Sequence, residues 1–238
     1  MKSTMMEKRI SFWHRVINLI APEACMVCGN RLGIDEEVVC APCNLHLPRT
    51  GFASTAYDNV MARRFWGKIP IERASALFFY EAGSEVSHII HNLKYHNHPE
   101  VGVVLGRMAA EEMAHFDFFD GIDFIIPVPL ERKHQRQRGY NQSMEIARGV
   151  SEATHLPIVS NAVERTTFHG SQTQKSVAQR IDNVEGAFRL TGKVDLSYRH
   201  ILVIDDIVTS GATICSCVAP MLSIPGLKVS VFSLGVVR

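Results

Sequence analysis

Neither sign of charge prevails in this sequence: its 238 residues carry 25 Lys and Arg against 24 Asp and Glu, a formal net charge of +1. That balance excludes capture of nucleic acid by an overall field and confines any such contact to local basic patches. Long apolar runs are missing as well. The longest uncharged stretch, residues 207 to 227, is interrupted by Thr209, Ser210, Gly211, Thr213, Ser216, Pro220, Ser223, Pro225 and Gly226. It is too polar and too broken to sit in lipid, so no membrane span is expected. The first residues hold Lys2, Glu7, Lys8, Arg9 and Arg15 and no small-residue cleavage site. A secretory signal is therefore not expected, and the chain is expected in the cytoplasm. Internal repeats and low-complexity tracts are also lacking. What remains, 46% hydrophobic and 21% charged residues, is the composition of one sizeable globular core with a small appendage.

Six cysteines are present, and in a reducing compartment they read as metal ligands, catalytic thiols or small core residues rather than disulfides. Four form two C-x-x-C pairs, Cys25 with Cys28 and Cys40 with Cys43, separated by eleven residues that include Gly33. Two such knuckles can bring four thiolates around one tetrahedral zinc, the stretch between them folding back as a short hairpin or loop. The competing readings are chance pairing and a redox pair in one knuckle. A zinc so enclosed is structural. Cys215 and Cys217 read as small apolar helix residues.

Ile10, Trp13, Ile17 and Ile20 form one apolar stripe of a short helix that Pro22 stops. From residue 74 apolar runs of strand length alternate with helical patterns. Strands are expected at 76–80, 122–128, 200–204 and 228–237, and helices at 85–93, from Pro99, at 140–153 and at 211–222. Such alternation specifies an α/β domain around a mainly parallel sheet flanked by helices. The expected organisation is a helix and four-cysteine module over 1–50, a connection over 51–73 and the α/β domain over 74–238. Ligands of such sheets lie at the carboxyl ends of strands, which directs attention to the segments after Val128 and Ile204.

The second of these is the most informative segment of the chain. The run Ile201-Leu202-Val203-Ile204 delivers Asp205 and Asp206 to a strand end, and Thr209, Ser210, Gly211, Ala212 and Thr213 then start a helix. Consecutive N–H groups at a helix start, with hydroxyl donors beside them, suit a phosphate. An acidic pair cannot hold phosphate but suits sugar hydroxyls and metal-bound water. A sugar phosphate accompanied by Mg²⁺ satisfies both demands.

This segment resembles the phosphoribosyl diphosphate (PRPP) motif of type I phosphoribosyltransferases. By that resemblance Asp205 and Asp206 contact the ribose hydroxyls and Thr209 to Thr213 enclose the 5′-phosphate. Val128 and Leu130, on the strand ending Ile126-Pro127-Val128-Pro129-Leu130, fall where that family binds pyrophosphate; Pro127 and Pro129 remove two donors, which Arg132 and Lys133 can replace with positive charge. Leu93-Lys94-Tyr95, Arg138-Gly139-Tyr140-Asn141-Gln142, Gln172 with Arg180 and Asn183, and Gly186-Ala187-Phe188, together with the cysteine pairs, resemble the ComF proteins associated with DNA uptake in natural competence. Two departures stand out: Asn97 where those proteins usually carry glycine, and Lys175 where they carry leucine.

The polar segment from Arg165 to Lys175 reads as a solvated loop, and the resemblance implies one that closes over substrate, with Lys175 and Arg180 as catalytic candidates at the leaving pyrophosphate. The run Glu131 to Arg138 carries four basic residues and suits pyrophosphate or single-stranded DNA. Three functions follow as expectations: a DNA-uptake factor retaining a PRPP site, an Mg²⁺-dependent phosphoribosyltransferase on an unknown acceptor, or a PRPP sensor without turnover.

Overall fold

The computed structural model describes residues 23–95, 97–166 and 186–238. The apolar stripe of Ile10 to Ile20, together with Gln172, Lys175, Arg180 and Asn183, lies outside the described residues. Two compact units divide the chain, one ending at Leu47 and the other running from Pro48.

In the first unit an antiparallel bridge between Ala24 and Arg31 closes the loop that carries Cys25 and Cys28. The Glu36 carboxylate ties the next loop together, accepting from the Gly33 N–H at 2.6 Å and the Ala41 N–H at 2.7 Å. Helix α1, Ala41–His46, follows with Pro42 in its first turn, where the missing N–H costs nothing.

The second unit begins with a 3₁₀ turn, Phe52–Thr55, and the short helix α2, Val60–Arg63. Asn59 caps α2 by accepting from the Ala62 N–H at 2.9 Å, while its amide donates to the Ala74 carbonyl at 2.8 Å. Met61, Ala62 and Phe65 are buried, so the segment over 51–73 packs onto the sheet that follows it. That sheet has four parallel strands: β1, Arg73–Tyr80; β2, Phe124–Pro127; β5, His200–Val208; and β6, Lys228–Val237. Their spatial order is β1-β6-β5-β2. Between β1 and β2 run α3, Glu85–Tyr95, and α4, Pro99–Ala114; α5, Arg132–Arg138, and α6, Gln142–Thr154, follow β2. A two-stranded antiparallel pair, β3 Val163–Arg165 with β4 Phe188–Leu190, precedes β5, and α7, Ala212–Val218, leads into β6. The parallel α/β sheet expected from the alternation is what the chain forms.

Alternation along β5 sorts its residues between two faces. Ile201 and Val203 join the core containing Phe65, Ile214, Val218 and Met221. The opposite side carries α4 and α6, which cross so closely that a Cβ on Gly149 would lie 1.9 Å from the Val103 carbonyl oxygen. Only glycine fits there. Among the described residues no helix is long and apolar enough to cross a membrane.

Candidate active site

Strands β2 and β5 are parallel neighbours with Pro127 opposite Ile204, so the segments leaving both emerge at the same sheet edge. The sequence pattern ends the β5 strand at Ile204; the structure continues it to Val208, with Asp205 opposite Ser233 and Ile207 opposite Gly235. The acidic pair therefore sits on a rigid strand rather than in a loop. Strand β6 alone supplies the pairing that aspartate's weak strand preference does not predict.

Asp205 is half-buried. Its Oδ1 accepts from the Ser143 hydroxyl at 3.2 Å and from the Asp206 N–H at 2.9 Å. Burial first, and the Asp206 charge next, push its carboxyl up to about 7, against the pull of those two donors and Lys94. Asp206 is met by Lys94, whose Nζ lies 3.0 Å from its Oδ2. Lys94 stands in the last turn of α3, more than a hundred positions upstream, so only the ComF-like segment Leu93-Lys94-Tyr95 points to it in the sequence.

The segment around Asn141 holds this arrangement together. The Tyr140 hydroxyl donates to the Leu93 carbonyl at 2.5 Å, and the Asn141 amide donates to the Val128 carbonyl at 3.0 Å. Asn141 also caps α6, accepting from the Ser143 N–H at 3.1 Å, which sets the hydroxyl facing Asp205. Arg138 lies over the Tyr95 ring at 5.2 Å and donates to Gln142 Oε1 at 2.9 Å. It is committed to binding α3 and α6 together, in contrast to exposed Lys133 and Arg136.

Beyond β5, Thr209, Ser210, Ala212 and Thr213 are exposed around a buried Gly211. Gly211 has φ 80, and a Cβ there would stand 2.9 Å from the Phe65 ring, so the turn into α7 requires glycine on two counts. Lys68 Nζ donates to the Ser210 carbonyl at 3.3 Å. On the β2 side Val128 is buried and its N–H is already given to the Ile204 carbonyl at 2.9 Å. Val128 thus offers a ligand no backbone donor of its own. Leu130 follows it half-buried, and Arg132 and Lys133 open α5.

In the N-terminal unit the Sγ atoms of Cys25, Cys28, Cys40 and Cys43 all lie within 4.8 Å of one another, a candidate metal site. The Cys28 to Cys40 separation is 3.7 Å, close to the edge of about 3.8 Å that four zinc–sulfur bonds of about 2.3 Å define. Backbone N–H groups of Val27 and Cys40 point at Cys25 Sγ at 3.4 and 3.3 Å. Burial raises that thiol, but these and other hydrogen bonds outweigh it and hold it at about 6. The donor set fits a tetrahedral, thiolate-binding metal.

No family model matches the chain. The chain is 28% identical over 226 residues to the DNA utilization protein YhgH of Shigella flexneri, covering 91% of this chain and 98% of that protein. It is 35% identical over 91 residues to Competence protein F of Haemophilus influenzae, 38% of this chain and 40% of that one. Both are homologues, and they bear out the resemblance to ComF proteins. Among solved structures, a glutamine phosphoribosylpyrophosphate amidotransferase from B. subtilis matches with a TM-score of 0.39 and 21% identity over 59% of this chain and 30% of that one.

Proposed function

We propose that the carboxyl edge of the sheet binds PRPP and that the protein uses this site in the uptake or utilisation of DNA. The single observation that carries the reading is the strand-end pair Asp205 and Asp206 followed at once by the glycine-fixed turn of Thr209 to Thr213. Asp206 and the ionised form of Asp205 accept from ribose hydroxyls, while the exposed hydroxyls and N–H groups of the turn enclose the 5′-phosphate. Lys94 offsets the dyad's charge, so the polyanionic ligand meets less repulsion. Mg²⁺ enters with the diphosphate and offsets its charge; Leu130, Arg132 and Lys133 lie on that side of the site. Lys175 and Arg180 are carried as candidates for closing over the leaving group on the resemblance alone.

The link to DNA rests on the names of the two homologues and on the exposed basic face of α5. Zinc is the metal we assign to Cys25, Cys28, Cys40 and Cys43. The first test is a thermal melt with Mg²⁺ and PRPP together. Ligand at about 100 times its Kd adds roughly 2.7 kcal/mol, a rise of several degrees for a domain of this size. An unmoved midpoint at millimolar PRPP would overturn the reading. A second reading, a true transferase, is favoured by one feature of the structure: a pocket of ≈ 440 Å³ beside the dyad, lined by residues that include Tyr80, Ile90, Lys94 and Ile207.

A further inference from the structure

The acidic pair is held from two directions, and the two holds differ in charge. Ser143 donates its hydroxyl to Asp205 Oδ1 at 3.2 Å, whereas Asp206 Oδ2 faces the Lys94 ammonium at 3.0 Å. Each contact uses one oxygen of its carboxylate. Among the described residues no hydrogen bond is made to Asp205 Oδ2 or Asp206 Oδ1, so each aspartate keeps one oxygen for a ligand. A neutral hydroxyl can donate to either without displacing the lysine.

The backbone around Lys94 is anchored on both sides. In the last turn of α3 the Leu93 carbonyl before it accepts from the Tyr140 hydroxyl, and the Tyr95 ring after it lies under Arg138. Both neighbours are tied to the segment that also sets Ser143 against Asp205. The side chains of Lys94 and Asp206 are 20% and 16% exposed, and water and salt screen a pair so enclosed less than one on the open surface. The pocket that Lys94 lines offers it no rival acid. No carboxylate is among the lining residues, and Tyr80 and Ile90 close the floor where Gly235 leaves room, a Cβ there pressing to 3.2 and 3.3 Å on them. Among the described residues Asp206 is the acid that Lys94 meets.

A divalent cation and a sugar hydroxyl ask different things of this pair. A cation needs the negative charge of the carboxylates, and an ammonium 3.0 Å from Asp206 both repels it and occupies an oxygen it would bind. A hydroxyl needs an accepting lone pair, which a lysine-paired carboxylate still offers through its other oxygen. We propose that Lys94 is a specificity-determining residue that keeps bare divalent cations off the acidic pair and reserves it for neutral hydroxyl donors. The exclusion of cations stands on the geometry of Lys94 and Asp206; that the hydroxyls belong to PRPP, with its metal carried on the diphosphate, rests on the PRPP reading.

Mn²⁺ titrated into the full chain and followed by electron paramagnetic resonance is the probe, at pH 8 so that Asp205 is ionised. The wild type is expected to take up no Mn²⁺ at the acidic pair below millimolar concentration. Lys94→Met keeps the apolar stem and deletes the charge, and is expected to gain one bound ion, held at least several-fold more tightly than any bound by the wild type. Adding Asp206→Asn to Lys94→Met is expected to remove that ion, and Lys94→Arg, which restores a cation, is expected to match the wild type. A lysine that only supported the fold would not produce this pattern. Sub-millimolar Mn²⁺ binding by the wild type that Asp206→Asn removes would overturn the proposal, and that comparison does not depend on a lysine variant folding. A folded Lys94→Met that gains no ion, or a Lys94→Arg that gains the same ion as Lys94→Met, would overturn it as well. The expected Mn²⁺ results in a chain whose melt does not respond to Mg²⁺ and PRPP would instead overturn the PRPP reading and leave the role of Lys94 standing.

Discussion

Burial of Asp205 ties both stability and ligand binding to pH. Its carboxyl is held up to about 7, first by desolvation and then by Asp206, whereas an unfolded aspartate releases its proton near 4. The folded chain therefore binds the proton more tightly than the unfolded one. The stability this supplies is full below about pH 4 and is lost as pH rises through about 7. Asn at this position has no charge to desolvate. Asp205→Asn is expected to melt above the wild type at pH 8, by on the order of 2 kcal/mol, and to lose that advantage at pH 5. A pH-independent difference between the two proteins would contradict the burial argument. At the same scale Asn97 shows what a single residue reveals. It stands where ComF proteins usually carry glycine, and its backbone has φ 56. The left-handed conformation persists because asparagine tolerates it better than most residues. Lys94 and Ser143 carry no signal of their own in the sequence, since a lysine in a last helical turn and a serine after a cap are ordinary in those places. Only the fold brings them to the dyad.

Elements are legible where periodicity decides and less so where tertiary contacts override propensity. Strand β6 follows its expected bounds, and α3 and α6 differ from theirs by two residues at most. β5 outruns its expectation because β6 pairs with it from Asp205 through Val208, beyond the end of β2. The helix expected over 211–222 ends at Val218 and passes into a 3₁₀ turn, Ala219–Met221, with Pro220 inside it. Two expectations follow for short elements. The cysteine knuckles should hold one zinc per chain by elemental analysis, and Cys25→Ser should lose it together with the local fold, since binding and folding are coupled in such modules. Metal-free protein purified without chelator would remove the assignment. Helix α5 should meet single-stranded DNA through its exposed face. Changing Arg132, Lys133 and Arg136 to Gln is expected to weaken binding and to flatten its salt dependence by about 0.7 log units for each phosphate no longer neutralised. Arg138 is spared in that variant because it holds Tyr95 and Gln142. An unchanged salt slope would separate α5 from DNA.

At the scale of the whole molecule, the α/β class and the position of the site follow from alternation alone, because parallel strands send their carboxyl ends to one edge. The pocket beside the dyad does not. It depends on Gly235, Ile90 and Tyr80 meeting across three elements, a juxtaposition no local pattern encodes. The dyad remains the centre of the functional reading, and calorimetric titration of PRPP with Mg²⁺ into the wild-type chain and into the double variant Asp205→Asn, Asp206→Asn tests it most directly. The wild type is expected to bind one PRPP per chain, and the folded double variant to show no measurable heat of binding over the same range. Equal affinity in the two proteins would contradict the assignment of the acidic pair to the ribose.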